Sequence, residues 1–505
     1  MPTFDLIGDA YSLQYVGVSG SRLVNWYAKL IQSGHGPSAG TKFALFPRPG
    51  LTLFGTIAQS PIRCTYAENN RAFVVAGDSL YELHSDGTST LIGPLTTIPV
   101  PTRPAKIISN GRQFLIMDGA PGTTAFNTWL WEIDSVTPPV PVISAVDITF
   151  IDGYFAALRP AGPDFPDDPV GINTENGTQV NISGIYDGAS WDPLDYRIKA
   201  AASDQAVAIL GPGSFNGGPQ ELWVMGKKTI EVWYDDPNQA AAALFPFVPI
   251  HGAFINTGVW APASIVGTRL GVAFVAAADR GIGQVVRMSG YIPEPLSTDA
   301  IDRVFQSYAV AGQDTSDAIG YTYQEDGEEF YVITFPTADK TWAVNLQTKL
   351  WHQRSSIIDN RAQTGLYHME CFGKHLLGDQ ASGNIYIADL DIQTDNGSTI
   401  PFIRVSQHTS NEDRWFRVNK CQISVALPFA VNRQYDLQIS RDGQQTFGNV
   451  HSIIVGPDPS PVPQSQRRVV WRQLGRCRDF VIQISTIAAN PIIDGYVSLT
   501  PGTEI

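Results

Sequence analysis

The chain has 505 residues, which is more than one ordinary hydrophobic core accommodates, so we expect two domains. Its hydrophobic content of 43% excludes an intrinsically disordered chain. The formal charge of −14, from 34 Lys and Arg against 48 Asp and Glu, argues against a surface built to grip duplex phosphates.

The cysteines and the N-terminal residues indicate the cellular compartment in which the chain is expected to fold. The four cysteines are scattered without a C-x-x-C spacing, which predicts buried free thiols: Cys64, Cys371, Cys421 and Cys477. The first ten residues lack the basic region and apolar core of a secretory signal. No apolar run is long enough to span a membrane, so we expect assembly in a cytoplasm and no membrane partner.

In chain order, residues 1–60 are expected to form an N-terminal arm and the first strands of a ring. Residues 61–390 then show a weak repeat of a strand, a Gly-containing turn and a second strand. Such hairpins begin near Phe73, Phe114, Tyr154, Leu222, Phe274, Phe330 and Leu376. A four-stranded propeller blade takes roughly 40–50 residues, close to most of these spacings. Seven Asp-Gly pairs, which favour tight hairpin turns, support an all-β chain. The prediction is a β-propeller of six or seven blades.

One spacing, between Tyr154 and Leu222, is 68 residues and indicates an insertion near residues 160–200. The insertion contains the polar, Pro-rich segment 161–169. We expect residues 160–196 to be a contact element, because long loops on rigid scaffolds commonly carry function. A short helix is expected at residues 238–245, where Pro246 would end it.

The composition shifts near the end of the predicted ring. Residues 391–398 are polar and predict a linker, and residues 399–505 predict a C-terminal β-sandwich. A Pro-rich loop at residues 456–463 interrupts the six strands expected there: 402–405, 415–425, 435–440, 468–471, 480–485 and 492–499.

Motifs that carry chemistry are missing from the sequence. The zinc-protease helix, the Walker loop, the dinucleotide fingerprint and the G-x-S-x-G elbow do not occur. The Gly-rich segment 211–218 has no following Lys and predicts an inter-strand loop. Strand alternation gives no reason for His368 and His375 to converge on a metal. We therefore assign no catalytic, cofactor-binding or metal residue and expect no cofactor.

Three further clusters have a functional and a plain interpretation. Asp389, Asp391 and Asp395 fit a calcium loop poorly and are expected to be linker carboxylates, with a divalent ion as the lesser alternative. Residues 440–447 resemble the Asp-box hairpin of sialidase-type propellers, which is structural. The cluster Arg467, Arg468, Arg472, Arg476 and Arg478 either forms salt bridges with a neighbouring subunit or coats the solvent face of a strand.

Three segments, in order, resemble a phage protein family. They are residues 24–29 with 45–51, residues 226–235 with 342–351, and residues 468–479, which contain the W-R-x-L-G-R-x-R pattern. The family is the packaged-DNA stabilisation, or tail hub, proteins of short-tailed bacteriophages. The resemblance spans nearly the whole chain.

The resemblance implies a structural virion protein without enzymatic activity. Family members form a homohexamer below the portal and adaptor rings, close the DNA exit channel, and carry tail spikes or fibres and the tail needle. Packaged DNA would pass through that channel without specific binding, which the acidic charge suits. The alternatives are a propeller glycoside hydrolase or carbohydrate-binding protein, which needs carboxylates and Trp at the ring centre, and a non-viral propeller scaffold.

Overall fold

The computed structural model describes most of the chain, with gaps mainly between strands. The described residues are 11–12, 20–33, 40–95, 104–119, 127–160, 178–213, 220–236, 245–278, 281–356, 361–410, 414–426, 432–456, 466–487 and 490–502. They form strands throughout and one helix. The expected helix at residues 238–245 lies largely outside the described residues.

Five strands precede the ring in sequence. They are β1 (Tyr11–Ser12), β2 (Gly20–Val24), β3 (Trp26–Ser33), β4 (Gly40–Pro47) and β5 (Gly50–Thr56).

Seven groups of antiparallel strands follow, and each group is one blade of the ring. Blade 1 contains β6 (Ile62–Glu68), β7 (Arg71–Ala76), β8 (Ser79–Leu83) and β9 (Ser89–Pro94); blade 2 contains β10 (Lys106–Ser109), β11 (Gln113–Met117), β12 (Thr128–Glu132) and β13 (Val140–Ile143); blade 3 contains β14 (Asp147–Ile151), β15 (Tyr154–Leu158), β16 (Gln179–Gly184) and β17 (Asp187–Ile198); blade 4 contains β18 (Ala206–Gly213), β19 (Glu221–Gly226), β20 (Ile230–Asp235) and β21 (Phe247–Ile255). Blade 5 contains β22 (Val259–Thr268), β23 (Gly271–Ala278), β24 (Gly281–Ser289) and β25 (Ile292–Pro295); blade 6 contains β26 (Ile319–Glu325), β27 (Glu328–Phe335), β28 (Lys340–Asn345) and β29 (Trp351–Arg354); blade 7 contains β30 (Tyr367–Cys371), β31 (Lys374–Gly378) and β32 (Asn384–Asp389).

Blade 7 takes its fourth strand from the N-terminal part of the chain. Strand β5 pairs antiparallel with β32, with Leu51 opposite Ala388 and Leu53 opposite Tyr386. The first strands of successive blades contact one another in a closed circle, from β6 through β10, β14, β18, β22, β26 and β30 back to β6. The propeller therefore has seven blades, and one strand from before the first blade completes the last.

The second strand of each blade explains why the repeat is visible in sequence. In β27 all eight residues are buried, and in β19 all six are buried. A strand covered on both faces carries a continuous apolar run instead of an alternating one. The seven expected hairpin starts fall on the seven second strands β7, β11, β15, β19, β23, β27 and β31.

Two short strands after the ring, β33 (Thr394–Asp395) and β34 (Ser398–Thr399), extend the sheet of blade 7. The remaining strands build a two-sheet sandwich beside blades 6 and 7. They are β35 (Phe402–Val405), β36 (Thr409–Ser410), β37 (Phe416–Ala426), β38 (Arg433–Ser440), β39 (His451–Val455), β40 (Gln466–Arg472), β41 (Arg476–Cys477), β42 (Asp479–Thr486) and β43 (Ile492–Pro501). One sheet has the order β3-β4-β43-β37-β40. The other has the order β2-β35-β42-β38-β39 and continues through β2 into blade 6. The six strands expected after residue 399 are all present.

The N-terminal strands β2, β3 and β4 therefore lie in the sandwich, although sequence reasoning grouped them with the ring. The physical reason is pairing partners: Leu23 of β2 lies opposite Arg404, and Leu45 of β4 lies opposite Ile492. Buried Trp26 packs on Phe402, with ring centroids 5.6 Å apart. Residues 391–398, expected as a linker, contribute β33 and β34 to the sheet of blade 7.

The helix α1 (Asp299–Val310) was not predicted from the sequence. It buries Ile301 and Phe305, and Phe305 packs against Phe335 with ring centroids 4.8 Å apart. The four cysteines are buried and free, as expected.

Candidate functional site

The first strands of all seven blades surround a central channel. Its volume is about 1790 Å³ and its lining is mixed, with Leu210 and Ile265 beside polar groups such as Lys106 and Asp147. A pocket for a small ligand would be mostly apolar with a few converging polar groups.

Three carboxylates of the described residues line the channel, and each accepts at least one hydrogen bond, but Asp317 Oδ1 is buried without a described partner. Lys106 Nζ donates to Asp147 at 2.6 Å, and the backbone N–H of Thr337 donates to Asp317 at 2.8 Å. Asp314 accepts from the backbone N–H of Ser316 at 2.8 Å. Within the described ranges, no group of three His, Cys, Asp or Glu side chains is placed to hold a metal ion.

Ion pairs and polar contacts connect neighbouring blades. Arg63 of blade 1 is ion-paired with Asp118, which directly follows β11 of blade 2, and both side chains are buried. Burial raises the pKa of the Asp118 carboxyl, and Arg63 opposes that shift. Asp147 of blade 3 accepts from Lys106 of blade 2 and from the backbone N–H of Ile209 in blade 4 at 2.9 Å. Such contacts hold the first four blades in fixed relative positions.

A buried cation joins the propeller to the sandwich. Arg48 follows β4, and its guanidinium contacts both carboxylate oxygens of Asp395, at 2.7 and 3.2 Å. It also donates to Asn25 Oδ1 at 2.8 Å and to the backbone carbonyls of Ser355 and Pro49 at 2.9 and 2.7 Å. The side chains of Arg48 and Asp395 are 0% and 3% exposed. This cluster joins β2, β4, blade 6 and β33.

The interpretation of Asp395 as a linker carboxylate was therefore wrong, because its side chain is buried in an ion pair within the sheet of blade 7. Asp389 and Asp391 differ from it, because Asp391 is exposed and its backbone N–H donates to Asp389 Oδ1 at 2.8 Å. The three carboxylates do not form a calcium loop, since Asp395 already has a buried cationic partner. Sequence reasoning also missed Arg48, although it lies inside the segment 45–51 that carries the family resemblance.

His368 and His375 do come together, which strand alternation did not predict. His368 Nε2 lies 3.1 Å from His375 Nδ1, diagonally across the β30–β31 hairpin. Tyr321 stacks on His368 at 5.5 Å, and Tyr323 lies edge-on to His375 at 5.8 Å. Burial, with a smaller contribution from His375, lowers the pKa of His368 to about 3. The pair packs at the seam of blades 6 and 7, between β30, β31 and the Tyr side chains of β26.

The segment 440–447 forms the turn after β38. Asp442 accepts from the backbone N–H of Thr446 at 3.0 Å and from Ser440 Oγ at 2.7 Å. Gln444 Nε2 donates to the carbonyl of Gly20 at 3.1 Å, which ties the turn to β2. These contacts give the turn a structural role.

The five arginines of the sequence cluster lie along β40, β41 and the residue after β41. Arg468, Arg472, Arg476 and Arg478 are exposed, and Arg467 is half-buried. Arg476 and Arg478 both stack on Trp415, with guanidinium carbons 5.4 and 5.1 Å from the ring centroid. The cluster faces solvent in the isolated chain.

Several predicted elements fall partly outside the described residues. Within the expected insertion, residues 161–177 are not described, and residues 179–196 form β16, a two-residue turn and most of β17. Of the Gly-rich segment 211–218, only the part up to Gly213 is described, at the end of β18. The Pro-rich loop is described only at Gly456.

A closed seven-bladed ring fused to a sandwich defines an all-β protein of the propeller class. The family model described as "Bacteriophage P22 Gp10, beta-propeller" matches residues 22–393. The chain belongs to this phage stabilisation family of structural proteins, as the sequence resemblance predicted. Membership indicates a location in the virion.

The solved structures that resemble the chain have low identity. The designed Ika8 protein is 11% identical, covers 67% of this chain and 99% of its own, and has a TM-score of 0.37. The N-terminal domain of Nup159 is 8% identical, covers 77% and 92%, and has a TM-score of 0.26. An exo-beta-1,3-galactanase from Phanerochaete chrysosporium is 10% identical, covers 98% and 100%, and has a TM-score of 0.24. None of these similarities supports an argument about activity.

No curated protein matches the chain. The helix in the described part of the chain is too short and too polar to cross a membrane.

Proposed function

We propose that this chain is a tail hub subunit that completes the head after DNA packaging and retains the packaged DNA until ejection. The observation that carries the proposal is the match of the phage stabilisation family over residues 22–393. The ion pairs and hydrogen bonds between neighbouring blades also support the proposal. They make the propeller a rigid disc with loops on both faces, and such a disc is suited to stacking between other rings.

The proposed partners are other virion proteins. Six copies form a homohexamer that binds the portal or adaptor ring on one side. Tail spikes or fibres and the needle or nozzle proteins bind elsewhere, and the segment 160–196 is our candidate for one of these contacts. Assembly takes place in the host cytoplasm. The net charge of −14 suits a channel through which DNA passes without specific binding.

A catalytic role has weaker support. A glycosidase of this architecture needs two carboxyl groups facing one sugar ring, roughly 5–10 Å apart. Of the channel carboxylates, Asp147 accepts from Lys106. Asp314 and Asp317 each accept a backbone hydrogen bond, and Asp317 keeps one buried oxygen without a described partner. The family that the chain matches is one of phage structural proteins, which favours a non-catalytic role. We infer that the protein is not an enzyme.

The experiment is a mass measurement by light scattering on the purified 54.9 kDa chain, alone and mixed with the adaptor ring from the same phage. We expect a defined multi-subunit ring, about six chains, on the adaptor. The adaptor alone and a chain with residues 161–177 shortened are the controls, and the shortened chain should fold but lose one assembly step. A chain that stays monomeric with the adaptor contradicts the proposal.

A further inference from the structure

Charge is unevenly distributed along the chain. Residues 401–505 carry 11 Lys and Arg against 8 Asp and Glu, a balance of +3. Residues 1–400 carry 23 against 40, a balance of −17. The part that supplies most of the sandwich is thus basic, and the part that forms the propeller is strongly acidic.

One sheet of the sandwich has a basic outer face. Strands β37, β40 and β41 direct Val418, Val469 and Trp471 into the core. Their outward positions form what we call the basic face: Arg417, Lys420, Arg468, Arg472 and Arg476.

The cations of the basic face oppose one another instead of pairing with acids. Arg417 lies directly across from Arg476, and Lys420 lies directly across from Arg472. Like charges in directly opposed positions destabilise a sheet. Among the described residues, these five cations form no ion pair, and Lys420 instead lies 5.0 Å from the ring of Tyr496.

Neighbouring strands supply few carboxylates to balance the positive charge of the basic face. Asp494 of β43 faces outward near Arg468, since both lie opposite Ser424. Trp415, 41% exposed, lies at the end of the basic face with Arg476 and Arg478 stacked on it. An exposed aromatic side chain between arginines is a composition enriched at protein interfaces.

The propeller carries a matching excess of carboxylates at blades 3 and 4. We call Asp152, Asp192, Asp195 and Asp235 the acidic corner. Asp152 directly follows β14 of blade 3, Asp192 and Asp195 lie in β17 of the same blade, and Asp235 ends β20 of blade 4. Asp152 and Asp192 are exposed, and Asp195 and Asp235 are half-buried. Burial, together with a hydrogen bond to Asp152 and its charge, raises the pKa of Asp235 to about 6. No described Lys or Arg forms an ion pair with these four carboxylates.

We propose that the basic face of the sandwich docks on a second copy of this chain, at the acidic corner of its propeller. Each surface holds like charges together in the isolated chain, and contact between the two relieves both. Two different surfaces meeting head to tail form a heterologous contact, which closes into a ring when the rotation between copies allows it. The inference rests on the proposed homo-oligomer and names the surfaces that form it.

Charge reversal tests this contact. The variant Arg468→Glu/Arg472→Glu changes two exposed side chains, so folding should be unaffected. Placing like charges across an interface costs enough to raise the apparent dissociation constant of assembly at least ~100-fold. The matched control Arg112→Glu/Arg303→Glu reverses two exposed arginines elsewhere and should assemble like the unmodified chain. Assembly should also weaken as salt is raised from about 0.05 to 0.5 M.

A mixing experiment separates this contact from a general charge effect. The variant Asp152→Lys/Asp192→Lys reverses the two exposed carboxylates of the acidic corner and, without the other variant, should also fail to assemble. Mixed in equal amounts with Arg468→Glu/Arg472→Glu, it should restore rings of alternating copies, because each reversed surface then meets its complement.

Three results overturn the inference. Normal assembly of Arg468→Glu/Arg472→Glu, or no recovery on mixing, shows that the basic face does not bind the acidic corner. Normal assembly with loss of duplex DNA binding assigns the face to nucleic acid instead. In all three the unmodified chain still assembles, whereas an unmodified chain that never assembles contradicts the proposed function itself.

Discussion

Replacing Asp395 with Asn should leave the Arg48 guanidinium buried without a counter-charge. The guanidinium would keep three neutral acceptors, Asn25 Oδ1 and the carbonyls of Ser355 and Pro49. The amide oxygen of the introduced Asn can replace one carboxylate contact, but the amide group carries no counter-charge and its NH2 cannot accept from Arg48. Removing one partner of a buried ion pair costs about 3–5 kcal/mol, because the remaining charge stays desolvated. We therefore expect Asp395→Asn to lower the free energy of unfolding by that amount.

Asp391→Asn is the matched control. It makes the same substitution four residues earlier at an exposed carboxylate, and it should change the free energy of unfolding by less than about 0.5 kcal/mol. The assay is equilibrium urea unfolding followed by Trp fluorescence. The dependence of the unfolding free energy on urea concentration should be the same in each variant, which confirms that the same transition is measured. The double variant Arg48→Met/Asp395→Leu should lower the free energy of unfolding by less than Asp395→Asn does, because it leaves no buried charge without a partner. Equal stability of Asp395→Asn and Asp391→Asn would refute the structural role of the pair.

Three further predictions follow from burial, packing and charge. The pKa of His368 is about 3 in the folded chain, below its ordinary value near 6.5, so between these values the unfolded chain binds more protons. The contribution of His368 to the free energy of unfolding is therefore complete above pH 6.5. It falls as the pH drops from 6.5 towards 3, by up to ~1.4 kcal/mol per pH unit. Urea midpoints at pH 7 and pH 4.5 should show the loss, and His368→Gln should reduce it. Gly258→Ala should lower the free energy of unfolding by about 1–3 kcal/mol, because the added Cβ would lie 2.0 Å from the Lys227 carbonyl oxygen. Gly267→Ala is the control, since a Cβ there has open space and should leave the thermal unfolding temperature nearly unchanged. Arg63→Met should lower the free energy of unfolding by about 3–5 kcal/mol, because it leaves the Asp118 carboxyl buried without a cation. Unchanged thermal stability would contradict a stabilising contact between blades 1 and 2.

The elements that sequence analysis located were those with a local signal. The central strand of each blade is buried on both faces, so its apolar run and following turn repeat around the ring. The sandwich strands after residue 399 alternate in the usual way. Helix α1 also had a local signal, because Ile301 and Phe305 are spaced for one helical face, but strand-like surroundings obscured it.

The elements that were missed depend on distant partners. Strand β5 closes blade 7 by pairing Leu51 with Ala388, a contact with no signature in either segment. Arg48 and Asp395 are 347 positions apart, and each resembles an ordinary surface charge when considered alone. His368 and His375 meet diagonally across a hairpin, which depends on register and not on alternation. Long-range pairing, not local composition, therefore sets the junction between the ring and the sandwich.

The measurement that tests the central claim most directly is DNA retention by phage particles made without this chain. If the chain is a tail hub subunit, such particles should package DNA and then lose it, and adding the purified protein should restore retention and infectivity. Particles that keep their DNA and remain infectious without the chain would contradict the account.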